Sequence, residues 1–171
     1  MNMRKIPVIL DADTGIDDTM ALLICATSSK LDVLAAVSTF GNTTIDYATQ
    51  NTMDVLALCG RQDIAVGMGA DRPWKKKLRT SPYIHGVNGI GEYQMPEHHR
   101  EALSPLPAWD LAYEKIMACP EKVTYVALGS LTNVANLFCK HPDVKPRLDK
   151  VVYMGCELRG NVAGSQCASV N

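Results

Sequence analysis

The stretch Ile6-Pro-Val-Ile-Leu-Asp-Ala-Asp-Thr-Gly-Ile-Asp-Asp18 decides how the rest of the chain is read. Its first five residues are apolar and rich in β-branched side chains. A short unbroken apolar run that stops at polar, glycine-containing sequence is the mark of a strand buried on both faces of a parallel sheet. Four aspartates, Asp11, Asp13, Asp17 and Asp18, then fall within eight residues. Crowded carboxylates repel one another, and at a strand end they also lose solvation. Helix capping accounts for Asp17 and Asp18, because acids are favoured in a first turn. It does not account for Asp11 and Asp13. A hard divalent cation does, since all-oxygen, all-anionic ligands suit Ca²⁺ or Mg²⁺.

Outward from this turn, strand and helix patterns alternate. Asp17 to Ser29 reads as a helix with Ala21, Leu22, Ile24 and Cys25 as its apolar face. Leu31 to Thr39 is a second strand, ending at Phe40-Gly-Asn42. Ile45 to Cys59 is helical and closes at Gly60, a favourable residue just past a helix end. Asp63 to Met68 is a third strand. Residues 70–108 hold most of the prolines and histidines with little periodicity, which predicts a long irregular active-site loop region. Trp109 to Ala118 resumes helix, Lys122 to Leu128 strand, Leu131 to Lys140 helix and Lys150 to Met154 strand. The pattern predicts an α/β fold: an open, mainly parallel sheet with helices on both faces, Rossmann-like in layout. Ligands in such sheets gather beyond the carboxyl ends of the strands. The turns at Asp11 to Asp18, Gly41-Asn42 and Leu128-Gly129-Ser130 should therefore meet in one crevice.

Length and composition narrow the functions. The 171 residues suit one domain or part of a larger one, and the 47% apolar and 20% charged fractions are those of an ordinary globular protein. With 17 basic against 18 acidic side chains, no global charge draws the chain to nucleic acid or to a membrane surface. The basic run Lys75-Lys76-Lys77, with Arg72 and Arg79, reads as a solvated loop. No apolar run is long enough to span a bilayer. The six cysteines lack C-x-x-C spacing, so zinc is not expected and reduced thiols of a cytoplasmic protein are. His98 and His99 read as solvated, and Asn133 as a structural residue at a helix start.

A strand followed by D-x-D resembles the haloacid-dehalogenase-like metal-dependent phosphohydrolases, with Asp11 as nucleophile. Thr14 follows Asp13 directly and two more aspartates come after, an order that makes this the second reading. The full string D-A-D-T-G-I-D-D-T-M-A-L resembles the N-terminal signature of the nucleoside hydrolase family. Val37-Ser-Thr-Phe-Gly-Asn42 is similar to the family's second-strand turn. Asp63-Ile-Ala-Val-Gly-Met-Gly-Ala with Arg72-Pro73 is similar to its third strand and exit, and Ile84-His-Gly-Val-Asn-Gly-Ile-Gly91 to its mobile loop. Val126-Ala-Leu-Gly-Ser-Leu-Thr-Asn-Val-Ala135 and Val151-Val-Tyr-Met-Gly155 follow in order.

The resemblance implies calcium-dependent hydrolysis of the N-glycosidic bond of ribonucleosides to free base and ribose, in purine or pyrimidine salvage. It implies that Asp11, Asp13, Asp18 and the backbone carbonyl of Leu128 hold Ca²⁺, with Mg²⁺ the lesser candidate. Asp13 would also be the general base that activates a metal-bound water. Asp17, Asn42, Asn161 and Asn171 would meet the ribose, and His85 the leaving base. Ser169 stands where the family's glutamate is expected. Family members are expected to continue past Asn171, so the chain reads as the metal-binding half of the fold, a single partial domain over residues 1–171. A homo-oligomer is also expected. A truncated, non-catalytic homologue that binds calcium or ribose is the alternative from outside the enzymes.

Overall fold

The computed structural model describes residues 4–155. At its centre is β1 (Ile6–Ala12), buried from Pro7 onward. It pairs in parallel with β2 (Leu31–Ser38) on one side and β4 (Val123–Ala127) on the other. β3 (Val66–Gly67) lies outside β2, and β5 (Leu148–Tyr153) outside β4. The sheet has five parallel strands in the order β3-β2-β1-β4-β5, the expected architecture.

Alternation along β1 explains its unbroken apolar run. Val8 and Leu10 pack with Leu22 and Ala26 of α1 (Ile16–Thr27) and with Met53 and Leu56 of α2 (Ile45–Leu58). Ile9 faces the other way. It packs with Leu111 and Ile116 of α4 (Ala108–Ala118) and Leu137 of α5 (Thr132–Lys140). A strand covered on both faces must be apolar at consecutive positions. α2 ends as expected at Gly60, whose φ of +66° is open to glycine at no steric cost. The Gly60 N–H reaches the Ala57 carbonyl and the Arg61 N–H that of Leu56.

Two segments differ from the sequence reading. The third strand shrinks to Val66–Gly67, because residues 61–64 close a turn in which the Ile64 N–H reaches the Arg61 carbonyl at 3.1 Å. Val66 also exchanges backbone hydrogen bonds with residues 102 and 104, so its outer edge is taken by the returning chain. Between Gly67 and Ala108 the backbone holds one short helix, α3 (Pro82–His85). A 3₁₀ helix, Pro142–Arg147, precedes β5 and was not anticipated. No helix among the described residues is long and apolar enough to cross a membrane.

His98 does not stand alone in solvent. Its Nδ1 lies 2.8 Å from the buried carboxylate of Asp54, which also accepts from the His99 N–H (2.8 Å) and Gln50 Nε2 (2.9 Å). A carboxylate buried on α2 needs donors, and the irregular segment supplies two of them.

Candidate functional site

The chain runs outward from β1 to β3, then returns across the sheet to β4. The switch point therefore lies between β1 and β4, where open α/β sheets bind ligands. The acidic turn leaves β1 at this point, and Leu128-Gly129-Ser130 leaves β4 beside it. The Leu128 N–H donates to the Asp11 carbonyl at 2.7 Å, and Thr39 and Ser130 hydroxyls meet at 2.8 Å. The three polar turns do converge.

Asp11, Asp13 and Asp18 are almost wholly shielded from solvent. Asp13 Oδ2 accepts the Asn42 N–H at 2.7 Å. Its Oδ1 is buried with no hydrogen-bond partner among the described residues. Two glycines make room for this carboxylate. A Cβ on Gly41 would fall 1.9 Å from Asp13 Oδ2, and one on Gly129 would fall 2.7 Å from Oδ1. Asp18 Oδ2 accepts from the Gly15 N–H at 3.0 Å and from Asn42 Nδ2 at 2.7 Å. Asn42 thus bridges two of the aspartates, through its backbone and its side chain.

Asp11 sits differently. Its Oδ2 accepts from the Tyr125 hydroxyl at 2.8 Å and its Oδ1 from Asn133 Nδ2 at 3.0 Å. The same Asn133 nitrogen also donates to the Ser38 carbonyl, at 2.9 Å, and Asn133 Oδ1 accepts the Ala70 N–H at 2.9 Å. Asn133 is more than a helix-start residue: it ties together the ends of β1 and β2 and the chain leaving β3. Sequence reading missed both it and Tyr125.

Burial dominates the electrostatics. It pushes the Asp11 carboxyl up to about 7, against the lowering effect of Tyr125 and Asn133, while Asp13 and Asp18 add repulsion. Burial and the nearby Asp18 charge push Asp13 up to about 7. Asp18 is raised too, by burial first and then by Asp17, with the Gly15 N–H, Asn42 and His85 opposing. Burial, with Asp11 beside it, raises the Tyr125 hydroxyl, which keeps it a donor.

Asp17, by contrast, is exposed on the first turn of α1. The His85 ring is buried beneath it, with Nδ1 accepting the Ile16 N–H at 3.2 Å. That bond makes Nδ1 an acceptor, so the ring proton sits on Nε2. Asp17 Oδ1 approaches the same nitrogen at 3.9 Å. The loop carrying His85 is fastened from α2: Asn51 Nδ2 donates to the Thr14 carbonyl (3.1 Å) and the Asn88 carbonyl (2.8 Å). Asn161 and Asn171 lie outside the described residues.

Among the described residues, no three His, Cys, Asp or Glu side chains gather as a complete metal cage. The donors present still fit a hard cation. They are all oxygen, burial and mutual repulsion raise their carboxyls above the usual range, and one carboxylate oxygen of Asp13 lacks any partner among the described residues.

Comparison with known proteins bears on the same region. The family described as inosine-uridine preferring nucleoside hydrolase matches residues 8–171. The non-specific ribonucleoside hydrolase RihC of Escherichia coli O1:K1 is 34% identical over 158 residues, covering 92% of this chain and 51% of that protein. RihC of Shigella dysenteriae serotype 1 matches to the same extent. Among solved structures, a purine-preferring ribonucleoside hydrolase from Gardnerella vaginalis superposes with a TM-score of 0.81 at 29% identity. That match covers 88% of this chain and 49% of the other. A plant nucleoside hydrolase gives 0.81 at 32%, covering 88% and 48%. The chain spans about half the length of these relatives. The extent of these matches leads to one assignment: the chain belongs to the inosine-uridine preferring nucleoside hydrolase family.

Proposed function

We propose that this chain carries the metal-binding and proton-accepting half of a calcium-dependent ribonucleoside hydrolase. The buried, unpartnered Oδ1 of Asp13 carries the proposal. Nothing in a folded core is gained by leaving a carboxylate oxygen bare; a site built for a cation and a reacting proton has a use for it. Asp11, Asp13, Asp18 and the Leu128 carbonyl are the candidate ligands, with Ca²⁺ ahead of Mg²⁺. When bound, the cation holds the ribose hydroxyls and makes water more acidic.

The chain's own groups then divide the work. Asp13 takes a proton from the attacking water. The water oxygen bonds to C1′, the electron pair of the C1′–N bond leaves with the base, the base takes a proton from solvent, and Asp13 returns its proton to solvent. The buried carboxylates favour the positive charge that develops on the sugar. Asp17, exposed on the first turn of α1, accepts from ribose hydroxyls in this reading. Asn42 borders the sugar while its Nδ2 holds Asp18. His85 offers Nε2–H toward the base. Asn161 and Asn171 are proposed as further ribose contacts. A homo-oligomer in the cytoplasm, acting on small ribonucleosides, completes the reading.

A binding-only homologue is the second reading. In that reading the crevice holds calcium or a ribose without turnover. Incubation with inosine and uridine, in calcium or chelator, separates the two by the reducing sugar released. The hydrolase reading predicts chelator-sensitive release that falls by about 10²- to 10⁴-fold in Asp13→Asn, the usual contribution of a general base. Wild-type rates in Asp13→Asn would overturn the assignment. No release by the wild-type chain, with calcium still raising its melting temperature, would favour the binding-only homologue.

A further inference from the structure

We infer that Tyr125 and Asn133 are positioning residues that set the orientation of Asp11 in the acidic crevice; the inference rests on the calcium reading above. The geometry is specific. Ile9 pairs with Tyr125 across the β1–β4 register, so the Tyr125 ring lies one pleat short of Asp11 on the same face, and its hydroxyl spans the gap. Asn133 approaches the other carboxylate oxygen from the start of α5. All three side chains are fully buried.

Two donors on two different oxygens fix both the rotamer of the carboxylate and the plane in which its remaining lone pairs lie. A carboxylate has about four acceptor directions, and this pair uses two of them. The other two stay available to a cation, in a direction that the donors dictate. Carboxylates that serve metals are commonly held this way by hydrogen-bonding partners behind them. The tie also reaches further. Asn133 fastens the Ser38 carbonyl and the Ala70 N–H, so the orientation of Asp11 is keyed to the ends of two neighbouring strands.

Asn133 has too many partners for a clean test, since its loss reaches folding itself. Tyr125→Phe removes one oxygen and keeps the ring. The measurement is calcium affinity of the whole chain by titration calorimetry at pH 8, for wild type, Tyr125→Phe and the core variant Ile116→Val. Ile116 is buried on α4, so Ile116→Val lowers stability while leaving both side-chain donors to Asp11 in place. A positioning role predicts calcium binding weakened about 10- to 100-fold in Tyr125→Phe and unchanged in Ile116→Val. A purely structural role would lower the melting temperature of both variants and leave both affinities at the wild-type value; that result overturns the inference. Wild-type protein that takes up no calcium would overturn the metal reading itself, and the positioning role with it.

Discussion

Raising the pH of the metal-free protein should destabilise it, opposite to the usual behaviour of native carboxylates. Asp11 is moved from the ordinary 3.8 to about 7, chiefly by burial. The unfolded chain gives up this proton near pH 4, whereas the folded chain keeps it until about pH 7. The group's contribution is therefore complete below pH 4 and is lost as pH rises to about 7. Each tenfold change in proton affinity is worth about 1.4 kcal/mol, so the full effect is of order 4 kcal/mol. About 3 kcal/mol of that falls between pH 5 and pH 8. For a chain of this size the melting temperature should drop by roughly 6–12 °C over that interval. Asp13 acts in the same direction. The assay is thermal unfolding in chelator from pH 5 to pH 8, with Asp11→Asn alongside. The slope should flatten in Asp11→Asn, and calcium should restore more stability at pH 8 than at pH 5. A chelated wild-type protein that melts higher at pH 8 than at pH 5 would refute the reasoning.

Three other substitutions probe the crevice. Gly129→Ala places a methyl 2.7 Å from Asp13 Oδ1 and should displace that carboxylate, lowering calcium affinity at least tenfold in a titration. Asp17→Asn changes an exposed side chain, so unfolding should shift by less than about 0.5 kcal/mol while KM for a ribonucleoside rises. Asn51→Leu leaves the Thr14 and Asn88 carbonyls without their shared donor. Hydrogen exchange across residues 86–92 should accelerate, with the core of β1 unaffected.

How much of this could be read from sequence depended on distance along the chain. β1 and its acidic turn were legible because their signals are local: an apolar run, then four acids in eight residues. The four longer helices, α1, α2, α4 and α5, followed from their periodicity to within a few residues. β3 is shorter than Asp63-Ile-Ala-Val suggests, because the Ile64 N–H turns back to the Arg61 carbonyl instead of joining the sheet. Buried polar residues within the α2 pattern, Asn51 and Asp54, were passed over because periodicity registers only apolar faces. Tyr125 and Asn133 were invisible as site residues for another reason. They lie 114 and 122 positions from Asp11, and only the β1–β4 pairing brings them to it. His98 is exposed as expected, but its contact with Asp54, 44 positions away, has no local signal.

Calcium titration into the wild-type chain near pH 7, in two buffers of different ionisation enthalpy, tests the central claim most directly. Carboxyls held near 7 by burial must give up protons when a cation enters among them. The account predicts saturable binding at one site with net proton release, and in Asp13→Asn less proton release with much of the binding kept. Absence of binding, or binding with no proton release and no dependence on Asp13, would contradict it.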